Sequence, residues 1–206
     1  MITTKELMKN FGIAITGNIA TGKSHICKIL ENMNYPVIDA DKLARKVSEK
    51  GAESYKKIVS FFGTKILKED KTLDRKKLSY EIFQDKEKRL FLESVIHPAI
   101  QIALKKQLES LNLYKNPKLW FYEAALIIEK NKFQLFKEVW ITHCNMTTQI
   151  NRLKSRSNNY SDTNIKNIIA SQKIFAEKRK FCNFEINTDL SEDLIKEKIK
   201  EKFKLI

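Results

Sequence analysis

The sequence predicts an α/β fold in which a five-stranded parallel sheet is flanked by helices, and three observations predict it. Five short runs rich in β-branched and aromatic residues alternate with helix-period segments, the pattern of strands joined by helical crossovers. Only 5 Gly and 3 Pro punctuate 206 residues, which disfavours collagen-like, low-complexity and many-hairpin all-β architectures. The apolar fraction of 42%, with 12 Phe and 2 Trp, suffices for a core at this length, so the 31% of charged residues reads as a solvated surface.

Residues 11–16 (Phe-Gly-Ile-Ala-Ile-Thr) give the first strand, which ends at Gly17. A helix follows over 24–32, with Ile26, Ile29 and Leu30 on one side. Further strands are predicted at Tyr35-Pro36-Val37-Ile38, at 118–122, at 138–142 and at 184–186. Between the second and third strands, residues 42–112 are too many for a single crossover. There Leu43, Val47, Tyr55, Ile58, Val59 and Phe62 mark apolar helix faces, and Asp74 and Asp85 are candidate N-caps ahead of Leu78, Ile82, Leu90 and Val95. The stretch reads as an all-helical subdomain inserted into a core of 11–41 and 113–206, within a single domain spanning 11–206. The polar stretch 152–162, with Ser155, Ser157, Asn158, Asn159 and Ser161, predicts a mobile loop before a helix carrying Ile165, Ile168, Ile169 and Phe175. Phe61-Phe62 and Trp120-Phe121 read as core.

Lys and Arg number 39 against 25 Asp and Glu, a net charge of +14 that favours polyanionic partners without choosing among them. Lys196, Lys198, Lys200 and Lys202 read as a solubilising face. Cys27, Cys144 and Cys182 are odd in number and lack C-x-x-C spacing, which predicts a reduced, cytoplasmic setting. The first ten residues have no continuous apolar core and no run is long enough to span a bilayer, so neither a signal peptide nor a membrane anchor is expected. His143 and Cys144 lack further ligands at metal spacing and read as core or loop residues.

Gly17-Asn18-Ile19-Ala20-Thr21-Gly22-Lys23-Ser24 is G-x-x-x-x-G-K-[ST], placed after a strand and opening a helix. In such a P-loop, backbone N–H groups and the helix N-terminus face the phosphates of a nucleotide. Lys23 then reaches the β- and γ-phosphates and Ser24 supplies a hydroxyl to Mg²⁺. Val37-Ile38-Asp39-Ala40-Asp41 puts two carboxylates at the carboxyl end of a core strand, where ligands of open α/β sheets bind. Asp41 is placed to accept a proton from an attacking hydroxyl or to help hold Mg²⁺, and either aspartate is also a candidate helix cap.

These residues resemble a family. Ile15-Thr16-Gly17 through Ser24, Val37-Ile38-Asp39-Ala40-Asp41 with Ala44-Arg45, Leu73-Asp74-Arg75 with Leu78 and Phe83, and His97-Pro98 with Ile100 look like dephospho-CoA kinases. Leu126-Ile127-Ile128-Glu129, Gln149 with Arg152-Leu153 and Arg156, and Ser171-Gln172 extend the likeness, which covers about residues 11–190. The resemblance implies a P-loop NTPase fold with a helical acceptor-binding insertion and a short lid at 152–162. It implies transfer of the ATP γ-phosphate to the ribose 3′-hydroxyl of dephospho-CoA, with Mg²⁺ as cofactor and no nucleic-acid or membrane partner, by a monomer or weak homo-oligomer. By position, Asp41 is the base on that hydroxyl, and Arg152 and Arg156 clamp the phosphates, as permanently charged planar guanidiniums suit. Gly17, Asn18, Ile19, Ala20, Thr21, Gly22, Lys23, Ser24 and His25 form the ATP-binding loop, and Asp41, Arg45, Arg75 and His97 the acceptor-binding set.

Several readings stay open. Arg45 follows Asp41 by four residues, so the two share a helix face and could pair. Arg75 is an acceptor contact or a first-turn surface residue, and His97-Pro98 an acceptor contact or a helix start with Pro at its first position. Asn18 and Ala20 stand where the family commonly has glycine, His25 replaces a small hydroxyl residue, and Ala125 stands where proline is usual. Glu123 is a candidate contributor to the Mg²⁺ surroundings. A nucleoside or nucleotide kinase of similar core, and a nucleic-acid-associated P-loop NTPase, are the alternative functions.

Overall fold

A computed structural model describes residues 2–156 and 161–206. In chain order the elements are α1 (Thr4–Phe11), β1 (Gly12–Gly17), α2 (Lys23–Asn32), β2 (Val37–Asp39), α3 (Ala40–Val47), α4 (Glu53–Phe62), α5 (Arg75–Gln84) and α6 (Lys86–Ser110). There follow β3 (Trp120–Glu123), β4 (Glu138–His143), α7 (Met146–Arg156), α8 (Asp162–Ala170), α9 (Phe175–Arg179), β5 (Phe184–Asn187) and α10 (Glu192–Phe203). The chain divides into two compact units, one of residues 1–38 and 114–206 and the other of residues 39–113.

The first unit holds the sheet, in the order β2-β3-β1-β4-β5. β1 lies at its centre, parallel to β3 on one side and β4 on the other, and β4 is parallel to β5. A central parallel strand is covered on both faces, and all six residues of β1 are buried. Ile13 and Ile15 join Phe121 and Trp140 from neighbouring strands, Ile26 and Leu30 from α2, and Ile195 and Ile199 from α10 in one core. The register pairs Gly17 with Thr142 and His143 with Asn187, so the carboxyl ends of β1, β4 and β5 share one edge. The loop from β1 into α2 leaves from that edge between β3 and β4.

The chain begins with a helix that the strand-centred reading passed over. Thr3 and Glu6 form a capping box: Thr3 Oγ1 accepts from the Glu6 N–H at 3.2 Å, and Glu6 Oε2 accepts from the Thr3 N–H at 2.8 Å. Leu7 is fully buried on the inner face.

The second unit is helical. Ile58 and Phe62 of α4 pack with Ile66, Leu73, Leu78 and, from α6, Phe91, Leu92 and Val95. Asp74 and Asp85 are the N-caps expected, each accepting two backbone N–H groups at the starts of α5 and α6. His97-Pro98 does not start a helix: Pro98 lies inside the 25-residue α6. There its missing N–H removes only the bond to the Ser94 carbonyl, and the turns on either side continue. Phe61, read as core, is 48% exposed and lies stacked on Phe91 at 3.8 Å between centroids, whereas Phe62, Trp120 and Phe121 are buried. No helix among the described residues is long and apolar enough to cross a membrane.

Candidate active site

The loop at residues 17–22 is held in shape by its backbone and by threonines beneath it. Gly17 has φ +148°, and a Cβ there would lie 2.3 Å from Thr142 Oγ1 and 2.7 Å from the Thr142 carbonyl, so only glycine fits. Gly22, at φ +88°, turns the chain into α2 against Thr188. Thr16, Thr21, Thr142 and Thr188 are all buried. Thr21 Oγ1 shares a hydrogen bond with Thr142 Oγ1 at 2.9 Å, and Thr188 Oγ1 donates to the Thr21 carbonyl at 2.9 Å. Buried hydroxyls must be paired: those of Thr21, Thr142 and Thr188 are paired by bracing the loop, and Thr16 Oγ1 donates to the Ala125 carbonyl at 3.1 Å. The sequence reading missed this set; its signal is a threonine at the carboxyl end of β1 and β4 and just past β5.

Lys23 and Ser24 are the first two residues of α2. Lys23 Nζ donates to the carbonyls of Gly17 and Asn18, each at 2.9 Å, which folds the ammonium over the loop. Ser24 Oγ donates to Glu123 Oε1 at 2.8 Å, which brings the hydroxyl from α2 to a carboxylate at the end of β3. His25 follows on the same helix and is exposed. Ala20 sits at φ +59°, a conformation that disfavours an L side chain, with its methyl packed against Leu153 and Ile165. Asn18 Nδ2 donates to the Lys173 carbonyl at 3.1 Å.

Arg152 is helical and not part of a loop: α7 runs through Arg156 because Ile150 and Leu153 bury a helical face against Ile19 and Ala20. Its guanidinium reaches the loop, donating to Thr188 Oγ1 at 2.8 Å, the Thr188 carbonyl at 2.9 Å and the Ala20 carbonyl at 3.4 Å. Burial pushes the neighbouring Cys144 thiol up, against the pull of Arg152. Arg156 ends α7 and is exposed. Ser157, Asn158 and Asn159 of the expected mobile loop lie outside the described residues. Buried Lys178 and partly exposed Glu129 form an ion pair at 2.6 Å that ties α9 to the segment after β3.

In the helical unit, Asp39 is the N-cap of α3, accepting from the Asp41 N–H at 2.8 Å and the Lys42 N–H at 3.0 Å. That leaves the Asp41 carboxylate, on the first turn, uninvolved in capping. Asp41 and Arg45 do not form an ion pair within 4 Å, although they share a helix face. Arg75 Nη2 instead donates to Ser48 Oγ at 3.1 Å. Partial burial and the charge of Arg45 lower the Arg75 pKa, offset by the Asp41 and Glu49 carboxylates. Asp41 and Arg45 of α3 therefore both lie near enough to Arg75 of α5 for their charges to act on it. His97 lies midway along α6. Among the described residues no group of three or more His, Cys, Asp or Glu side chains could hold a metal.

A glycine-bounded loop between a central parallel strand and a helix that opens with Lys and Ser defines a P-loop nucleotide-binding protein. The family profile for dephospho-CoA kinase matches residues 11–193. The dephospho-CoA kinase of Shouchella clausii is 38% identical over 167 residues, covering 81% of this chain and 84% of that protein. That of Bacillus cereus is 38% identical over 177 residues, covering 86% and 88%. Among solved structures, TT1252 from Thermus thermophilus aligns with TM-score 0.80 at 26% identity over 95% of this chain and 97% of its own. The dephospho-CoA kinase from Campylobacter jejuni aligns with TM-score 0.65 at 29% identity over 94% and 95%. The chain belongs to the dephospho-CoA kinase family.

Proposed function

We propose that this chain transfers the γ-phosphate of ATP to the ribose 3′-hydroxyl of dephospho-CoA, the last step of coenzyme A formation. The observation that carries the reading is the braced P-loop, with Lys23 and Ser24 opening α2, in a chain of this family. Backbone N–H groups of the loop and of the first turn of α2 receive the phosphates, where the helix dipole also favours negative charge. Lys23 exchanges its two loop carbonyls for the β- and γ-phosphates. Ser24 and Glu123 present two oxygens 2.8 Å apart, a donor set that fits Mg²⁺, which takes one or two protein oxygens together with substrate phosphates. Held there, the ion would neutralise charge on the phosphates.

Asp41 takes the proton of the acceptor hydroxyl, a task suited to a carboxylate free of capping duty. Arg45, Arg75 and His97 hold the anionic acceptor, and the two guanidiniums supply positive charge close to Asp41. Arg152 and Arg156 stabilise charge on the transferring group. Exclusion of water from the closed site keeps ATP from being hydrolysed before the acceptor arrives.

ADP release in the presence of ATP and Mg²⁺ tests this, with dephospho-CoA compared with adenosine, nucleoside monophosphates, DNA and buffer alone. Turnover is expected with dephospho-CoA only, and Asp41→Asn is expected to lower it by about 10²–10⁴-fold while leaving ADP affinity unchanged. Preference for a nucleoside monophosphate would move the acceptor assignment, and stimulation by DNA would reject the reading.

A further inference from the structure

We propose that Gln149 and Gln172 are positioning residues for the phosphate loop, fixing the two peptide planes on either side of the Ile19 α-carbon so that the Ala20 N–H faces the bound phosphates. The inference rests on the nucleotide-binding part of the reading above.

Gln149 Nε2 donates to the Ile19 carbonyl at 2.7 Å, and Gln172 Oε1 accepts from the Ile19 N–H at 2.8 Å. Both backbone polar groups of one residue at the loop apex are thus taken by side chains, one from α7 and one from just beyond α8. A trans peptide is planar, with its C=O and N–H pointing in opposite directions. Holding the Ile19 carbonyl therefore sets the plane of peptide 19–20 and turns the Ala20 N–H away from Gln149. Holding the Ile19 N–H sets peptide 18–19 and turns the Asn18 carbonyl away from Gln172. That carbonyl accepts from Lys23 Nζ at 2.9 Å and from Thr21 Oγ1 at 2.8 Å, so the second plane leads directly to the phosphate-binding lysine.

Two further features make these bonds matter in this chain. Ala20 occupies a left-handed conformation at φ +59°, which an L residue does not hold unaided. Gln149 is buried, and a buried amide is costly unless paired, so its bond to Ile19 is strongly enforced. The packing of Ile19 and Ala20 against Ile150, Leu153, Ile165 and Ile169 carries the same two helices onto the loop. α7 and the turn that follows α8 are therefore the segments that set the loop's peptide planes.

Glutamate has the shape of glutamine but only accepts when ionised, which separates the two positions. Gln172→Glu still faces an acceptor to the Ile19 N–H, whereas Gln149→Glu sets an acceptor against the Ile19 carbonyl. Calorimetry of ADP with Mg²⁺ binding to the full chain reads the difference. The Kd is expected to rise by about tenfold or more in Gln149→Glu and in Gln172→Met, and by less than about threefold in Gln172→Glu. Gln149→Met carries the same expectation as Gln149→Glu should the latter fail to fold. Added negative charge alone would weaken both glutamate variants equally, and packing alone would spare both, so an equal response at the two positions overturns the inference. A wild-type chain that binds ADP but leaves dephospho-CoA unphosphorylated ends the proposed reaction while this comparison still decides the role of the glutamines. A wild-type chain that binds no nucleotide overturns both.

Discussion

The Cys182 thiol is pushed up to about 12, chiefly by burial and then by the Glu185 carboxylate, against the opposing charge of Lys178. Its Sγ donates to the Lys178 carbonyl at 3.2 Å, a bond that only the protonated thiol makes. The folded state thus keeps a proton that the unfolded chain sheds near the ordinary thiol value of 9.0. The stabilisation is present in full below that value and is lost as pH rises from about 9 towards 12. Alkylation of Cys182 at pH 8 to 9, followed by mass mapping, is expected to be slow in the native protein and fast in urea; equal rates would contradict this environment. At the same scale, Gly17 and the Lys23-Ser24 pair were legible because the chemistry of a P-loop depends on local spacing. Gln149, Gln172 and Thr188 were not legible as loop supports, because they meet residues 19 and 21 only through the folded sheet. Arg152 was picked out by its resemblance to the family's lid, while its bonds to Thr188 depend on where β5 ends.

Among the elements, α3 carries the candidate base on its first turn, and the Asp39 cap determines where that helix begins. Asp39→Ala removes the acceptor of two backbone N–H groups and is expected to cost about 1 kcal/mol, most of which Asp39→Ser restores. Thermal or urea unfolding checks this, and an alanine variant as stable as the parent would show that the cap is redundant. The five strands were readable from β-branched and aromatic runs, and their starts fall within two residues of those expected. Helix ends were less readable. α1 was missed because the first ten residues were weighed only as a targeting segment, although Thr3 and Glu6 carried its capping signal. The polar composition of 152–156 pointed to a loop, yet burial of Leu153 against the phosphate loop keeps it helical. Pro98 suggested a boundary that the packing of α6 overrides: Leu104 and Leu108 are buried on its far half, and Phe91, Leu92 and Val95 pack on its near half.

At the scale of the whole molecule, the residues of the proposed reaction divide between two units: the phosphate loop, Glu123 and Arg152 belong to one, and Asp41, Arg45, Arg75 and His97 to the other. A net charge of +14 suits a protein whose two proposed substrates are both polyanions, and it speeds their encounter without selecting between them. In the proposed reaction selection rests with Arg45, Arg75 and His97 of the helical unit, so the identity of the acceptor and the position of the new phosphate are the sharpest expression of the account. The most direct measurement is to follow ATP labelled in its γ-phosphate with dephospho-CoA, locating the label by phosphorus NMR and mass spectrometry. The account predicts one labelled phosphate per ADP formed, carried on the ribose 3′-oxygen. Label appearing as free inorganic phosphate at the same rate with and without dephospho-CoA would contradict it.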